Sequence, residues 1–260
     1  MIGCQPENQA AVVRDGRFSL AQGDAIGRRA DLVKGFMLFS DVALADCREI
    51  VASAHELEFK RRQTLYFEGD PVRQVILLTS GCVKIMQVGK CGSEVILRLA
   101  GPRDVVGAVG GGTRLSYCST ASALQTSTAL VWEAPVFENI LHKYPTLRRN
   151  TARILGQRLE EIEERFREVS TKRVATRLSS EIARLINRVG QSVNGAVELS
   201  LSREELAQLT GTTLFTVSRL LSRWEQRGIV RSRREALMVC KFQALVELAE
   251  SDCGRRGSRI

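Results

Sequence analysis

Between Ser202 and Leu220, small, flexible and apolar residues fall at offsets that fit two short helices crossing at a tight turn and little else. Ser202 is a good N-cap, and Glu205, three residues on, completes a capping box. Ala207 stands where the helix axes would cross, where only a small side chain fits. Gly211 follows four residues later, in a turn that calls for a left-handed backbone. Val217 and Leu220, six and nine residues past Gly211, return apolar side chains to the first helix. This is helix-turn-helix spacing. The stretch that follows, "GIVRSRREALMVC", reads as a two-strand hairpin, a wing.

With Val217 and Leu220 inward, Leu214, Phe215, Ser218 and Arg219 line the opposite face, and Thr212 and Thr213 mark its N-terminal end. Such a helix suits the major groove of double-stranded DNA. Arg219 can grip guanine with two hydrogen bonds, Ser218 can donate or accept, and Phe215 can read shape and a thymine methyl. Thr212 and Thr213, with the free N–H groups of the helix start, suit phosphate oxygens, and Ser202 joins this DNA-facing set. Arg223, Arg227, Arg231, Arg233 and Arg234 supply backbone charge. The charge balance agrees. Residues 171–260 carry 16 basic and 9 acidic side chains, whereas the first 170 carry 22 and 20. A basic segment joined to a near-neutral one points to a polyanionic partner.

Upstream the texture differs. From about Ile50 to Trp132, short β-rich runs ("TLYF", "QVILLTS", "CVKIMQV", "EVILRLA", "DVVGAV", "TALVWE") alternate with glycine turns, which indicates an antiparallel sandwich or barrel. Phe67, Val75, Ile76, Leu77, Val83 and Ile85 are expected inside it. A short helix is expected near Leu32–Phe39. Then Ala152, Leu155, Leu159, Ile162, Phe166 and Val169 recur at spacings of 3, 4, 3, 4 and 3. This seam is narrower than the face a globular helix buries and suits a parallel two-helix contact between two copies. The segment Glu168–Val174 loses the seam and is expected to be a hinge. A helix, a turn at Asn194-Gly195 and a strand, "VELSL", should lead into the two short helices, and a last helix should cover about 241–250.

No run approaches the roughly 20 apolar residues of a membrane span, and the N-terminus lacks the charged start and apolar run of a secretory signal. A cytoplasmic protein without a membrane partner is expected. The seven cysteines form no CxxC pair, and their spacing matches no metal or cluster pattern. There is no Ser/His/Asp set and no metal triad, so no enzyme is expected.

An antiparallel β domain, a long helix, a hinge and a winged helix-turn-helix, in that order, resemble the catabolite-activator/fumarate-nitrate-reduction (CRP/FNR) family of bacterial transcription regulators over about residues 31–245. "LYFEGDPVRQVILLTSGCVKI" looks like the family's first β-roll strands, "LHKYPTLRRNTARILGQRLEEIEE" like the start of its dimer helix, and "LSREELAQLTGTTLFTVSRLLSRWEQRGIV" like its DNA-reading element. The resemblance implies an α+β fold: an extension over 1–30, a cyclic-nucleotide-binding-like β-roll sensor (a jelly roll) over 31–136, a dimerisation helix over 137–170, a winged helix-turn-helix over 171–245 and a basic tail over 246–260. It implies a homodimer that reads an operator and that contacts RNA polymerase if it is an activator.

Departures from the family's pattern bear on the effector. Members that bind cyclic AMP carry Gly-Glu-Leu, then Arg-Ser, where this chain has Gly107-Ala108-Val109 and about Tyr117-Cys118. The small polar pair that meets adenine falls at about Ile162-Glu163. The ribose-holding carboxylate and the phosphate-holding guanidinium are both missing at these positions, which argues against cyclic AMP. Gly107, Ala108, Val109, Arg114, Tyr117, Cys118 and Ile162 remain the candidate effector pocket, with Cys118 as a candidate redox thiol. Iron–sulfur members need a cluster of N-terminal cysteines, and only Cys4 stands there. The recognition helix is similar to that of members controlling nitrogen-oxide respiration, some of them haem sensors. The alternatives to an unidentified effector are therefore a haem-based nitric oxide or redox regulator, with His55 and His142 as axial ligands, and a ligand-independent regulator. Phe215 replaces a glutamate that reads cytosine in many members, so a different operator is expected.

Overall fold

The computed structural model describes residues 20–107, 116–193 and 195–250. The chain opens with α1 (Leu20–Lys34), a single turn of tighter helix (Met37–Phe39) and α2 (Leu44–Ala52). Eight strands follow: β1 (His55–Phe59), β2 (Thr64–Tyr66), β3 (Gln74–Ser80), β4 (Val83–Val88), β5 (Glu94–Ala100), β6 (Val105–Val106), β7 (Thr120–Ala123) and β8 (Ser127–Glu133). Then come α3 (Ala134–Lys143), α4 (Pro145–Thr171), α5 (Val174–Val189), β9 (Gln191–Val193), β10 (Ala196–Leu199), α6 (Arg203–Thr210), α7 (Leu214–Gln226), β11 (Val230–Ser232), β12 (Leu237–Val239) and α8 (Phe242–Glu250).

The strands before α3 form two antiparallel four-stranded sheets, β1-β8-β3-β6 and β2-β7-β4-β5. Side chains alternate along a strand, so β3 serves two cores. Ile76 and Leu78 point between the sheets, where they meet Tyr66, Val83, Ile85 and Val131. Val75 and Leu77 point the other way, onto Ile50, Trp132, Phe137 and Leu141 beneath the helices. A strand buried on both faces has to read as a continuous apolar run, as "QVILL" does. The buried Trp132 indole N–H donates to the Ile50 carbonyl at 3.0 Å, which ties the sheet to α2.

Three expectations need correction here. Phe67 is not inside: β2 stops at Tyr66, and Phe67 begins a turn in which its N–H donates to the Asp70 carboxylate, leaving the ring 59% exposed. The extension expected over 1–30 ends earlier, because α1 already runs from Leu20 and buries Ala30 and Val33. The rest of that segment, Cys4 included, lies outside the described residues. The dimer helix expected over 137–170 is two helices. Pro145 lacks an N–H to continue α3 and starts α4 instead, after Tyr144 has turned the chain at φ −116°, ψ 87°.

α4 uses two faces. Near its start Leu147, Asn150 and Thr151 are buried in the chain's own core, and the Asn150 amide donates to the carbonyls of Leu38 (3.0 Å) and Ser40 (2.7 Å). The seam lies on another face and is bare, with Leu159 57%, Ile162 61% and Phe166 75% exposed. The hinge is shorter than expected. α4 persists to Thr171, its Ser170 and Thr171 hydroxyls bonded back to the Phe166 and Arg167 carbonyls, and only Lys172 and Arg173 are extended before α5.

The C-terminal half packs against the outer face of the second sheet. Cys82, Ile96, Leu99 and Leu124 share one core with Leu178, Ile182, Leu185, Leu206 and Trp224. β11-β12-β10-β9 form the wing sheet. Leu245 of α8 is fully buried in the same core, and α8 runs to Glu250, so the expected boundary at 245 cuts a helix.

Candidate nucleic-acid interface

The Ser202 hydroxyl caps the Glu205 N–H at 3.2 Å, and the Glu205 carboxylate returns to the Ser202 N–H at 2.7 Å. The Ser202 hydroxyl also donates to that carboxylate at 2.9 Å, so this side chain is engaged in the cap. Gly211 ends α6 at φ 60°, ψ 48° and sends its N–H to the Ala207 carbonyl. The Thr212 N–H also goes to Ala207, at 3.1 Å, so it is not one of the free donors expected at the next helix start. Thr213 caps α7 by accepting from the Thr216 N–H at 3.2 Å. The donors without an intrahelical carbonyl then begin at Leu214 and Phe215.

A Cβ at Gly211 would meet nothing within 4 Å, so only the backbone resists substitution there. Gly211→Ala is expected to cost about 1 kcal/mol, a fall of about 3 °C in Tm, with Gly211→Asn milder. Thermal melting of both variants checks this; an unchanged Gly211→Ala would contradict a turn held in the left-handed region.

α7 packs through Val217, Leu221 and Trp224, all buried. Leu220 packs against the same core from the edge of this stripe and is half-buried, because the stripe's centre runs i, i+4, i+7 from Val217. The opposite face carries Phe215 (76% exposed), Arg219 and Arg223, with Ser218 half-buried at its edge; Leu214, three residues before Val217 and seven before Leu221, is in phase with the inward stripe and is 50% exposed at the open start of the helix. Arg231, Arg233 and Arg234 are exposed on the wing. The structure thus gathers Phe215, Ser218 and Arg219 on one side, apart from Leu214, which falls in the inward phase, and Ser202, which sits at the start of α6.

Sequence reasoning missed the residues that hold this unit to α4. The Arg177 guanidinium donates to the Lys172 carbonyl (3.2 Å) and to the Thr210 carbonyl (3.2 Å), which bridges the end of α4 to the helix-turn-helix turn. Glu168, buried, accepts from Lys172 (3.0 Å) and from both ends of the Arg184 guanidinium (2.9 and 2.7 Å). Burial alone would raise the Glu168 carboxyl, but these hydrogen bonds outweigh it and hold it below the ordinary carboxylate range. Arg184 also reaches the buried Glu181 (2.7 Å), which Arg165 of α4 bonds from the other side (2.5 Å). Arg188 pairs with Glu161 of α4 (3.1 Å) and Asp104 (3.3 Å), and Arg61 and Arg62 pair with Glu235 on the wing (2.9 and 3.1 Å). Arg177 had one legible signal, an arginine early in the helix before the motif. The carboxylates gave none, since charge on a helix normally reads as solvated.

Of the expected effector set, Gly107 and Tyr117 come together. Gly107 has φ 89°, and a Cβ there would lie 3.0 Å from the Tyr117 ring. That ring stacks on Tyr66 with centroids 3.8 Å apart, and its hydroxyl donates to the Gln74 carbonyl at 2.9 Å. Cys118 is exposed, and Ile162 lies on the bare seam. Ala108, Val109 and Arg114 fall outside the described residues. His55 opens β1 and His142 sits near the end of α3, both exposed. Among the described residues no group of three His, Cys, Asp or Glu could hold a metal ion, and no helix is long and apolar enough to cross a membrane.

Comparison with known proteins matches this division. A cyclic nucleotide-binding domain model covers residues 56–144 and a Crp-like helix-turn-helix domain model covers 172–248. The chain is 23% identical over 214 residues to the CRP-like cAMP-activated global transcriptional regulator of Mycobacterium tuberculosis, across 82% of this chain and 96% of that protein. It is 28% identical over 222 residues to the fumarate and nitrate reduction regulatory protein of Escherichia coli K12, across 78% and 86%. The fold is similar to that of FixK2 from Bradyrhizobium japonicum, with a TM-score of 0.67 and 22% identity over 75% of this chain and 96% of that one. β-Roll, long helix and winged helix-turn-helix in one chain, with both family models in order along it, make this protein a member of the CRP/FNR family, a DNA-binding transcription regulator and not an enzyme.

Proposed function

We propose that the protein acts as a homodimer on a near-palindromic operator, with α7 in the major groove and the β-roll setting the placement of the two recognition helices through α4. The observation that carries this reading is the division of α7: Val217, Leu221 and Trp224 fix the helix, while Phe215, Arg219 and Arg223 stand bare on the other side. Arg219 is the base-reading residue, Ser218 and Phe215 flank it, and Thr213 and the wing arginines meet phosphates. The unpartnered seam of α4 supports the dimer, as apolar side chains this exposed in a row mark an interface. The protein works in the cytoplasm, independently of cyclic AMP. Tyr117 supports the last point, because it fills the expected guanidinium position with a ring stacked on Tyr66 and a hydroxyl already committed to Gln74.

Arg219→Ala tests the assignment. Specific binding should weaken by roughly 1–3 kcal/mol, about 5- to 150-fold, and one operator position should relax. Titrations on operator and on scrambled duplex check it. An equal loss on both would make Arg219 a phosphate contact instead.

A further inference from the structure

The seam divides α4 into unequal flanks. With Ala152, Leu159 and Phe166 at a positions and Leu155, Ile162 and Val169 at d, the neighbouring g and c positions include Arg158, Glu161, Arg165 and Glu168. This flank is engaged within the chain. Arg158 donates to the Val105 carbonyl, Glu161 pairs with Arg188, Arg165 with Glu181, and Glu168 with Arg184. The e positions on the other flank, Gly156, Glu163 and Ser170, are exposed. Glu163 has no hydrogen bond or ion pair among the described residues.

The engaged flank lacks one carboxylate. Arg158 is part-buried and pairs with none among the described residues, and the same holds for Arg98 of β5, which donates to the same Val105 carbonyl oxygen at 3.1 Å. Asp104 stands near, but its carboxylate already accepts the Gly101 N–H (2.9 Å) and pairs with Arg188. Burial pulls the Arg158 guanidinium down to about 10, and the charge of Arg98 adds to the fall. Two cations on one neutral acceptor are costly unless an anion joins them.

We propose that a second copy of the chain supplies this anion: the partner's Glu163 pairs with Arg158, beside Arg98, and fixes the register of the dimer. The inference rests on the dimer reading above and names its contact. In a parallel pair each g residue faces the e residue five positions later on the other helix, which sets Arg158 against the partner's Glu163. By the same rule Thr151 meets the partner's Gly156 and Arg165 meets the partner's Ser170, so Arg158 and Glu163 are the one oppositely charged pair. The two-fold axis makes it twice, and each β-roll is closed by the other subunit's helix. An antiparallel arrangement sets g against g and leaves both charges unmatched.

The test is the dimer dissociation constant of the full-length protein without DNA, from sedimentation equilibrium in low-salt chloride buffer. Glu163→Arg brings a third cation to each site and should raise the constant on the order of 100-fold. Arg158→Glu sets carboxylates against each other and should also weaken the dimer, whereas the double variant restores opposite charges and should regain most of the loss. Glu160→Arg, exposed on the same flank but turned away from the seam, should leave the constant nearly unchanged. The proposal is overturned if Glu163→Arg associates like wild type, if the two single losses add in the double variant, or if Glu160→Arg weakens the dimer as much. Should Arg158→Glu not fold, Arg158→Gln, Glu163→Gln and their combination should weaken the dimer equally, and additive losses overturn the pairing. Ile162→Asp is measured alongside. A dimer that survives it sinks the seam itself, whereas a monomer from Ile162→Asp beside an unmoved Glu163→Arg sinks only this pairing.

Discussion

Ile162→Asp is expected to yield a monomer that no longer holds its operator. Ile162 is 61% exposed, between Leu159 and Phe166 on a seam that touches little of its own subunit. In a parallel two-helix contact each seam residue meets its counterpart, so one substitution sets two carboxylates against each other in an apolar strip. The mass measured by light scattering should halve. Operator affinity should fall on the order of 100-fold or more, because each half-site is then bound alone. Tm at monomer concentrations should barely move, since the chain's own core holds α4 through Leu147 and Asn150 instead. An intact dimer after this change would contradict the seam.

Glu168→Gln should strike the other end of α4. The carboxylate is buried between Lys172 and Arg184, so its loss leaves a guanidinium facing a neutral amide. Removing one partner of a buried pair costs about 3–5 kcal/mol; the lower end applies because Arg184 keeps Glu181. Tm should fall by roughly 6–12 °C, and the C-terminal half should lose its fixed placement on the β-roll. The pH dependence has a definite sign. The Glu168 carboxyl is held below its ordinary value in the folded protein, so its contribution is complete above the unfolded value of about 4.3 and disappears as pH falls through the folded value. Melting curves across that acidic window should show wild type and variant converging as pH drops. A gap that stays constant with pH would mean that Glu168 acts through packing and not through charge.

Legibility followed the physics of each element. The helix-turn-helix was plain because a capping box, a crossing alanine and a left-handed glycine each have few structural solutions, and all three stand where the spacing puts them. β3 was plain as an apolar run, but β7, "TASA", was not: its side chains are small, and it is buried only because β2 and β4 flank it. β9 escaped notice because three residues with no apolar alternation count as a strand only when β10 pairs with them. Phe67 misled by hydrophobicity alone, where a turn outranked burial. The exposed side of α7 could be read from periodicity, whereas the ties at Glu168, Arg177 and Arg184 join residues distant in sequence whose charges look solvated in the chain. Arg98 and Arg158 are of the same kind.

The central claim, a dimer that reads sequence through α7, is most directly tested by selecting duplexes from a randomised pool with the pure full-length protein. The account predicts enrichment of an inverted repeat whose half-sites lie about one helical turn apart, roughly 34 Å, with a guanine at the position Arg219 reaches. Recovery of duplexes with no shared sequence, at an affinity equal to that for scrambled DNA, would contradict it.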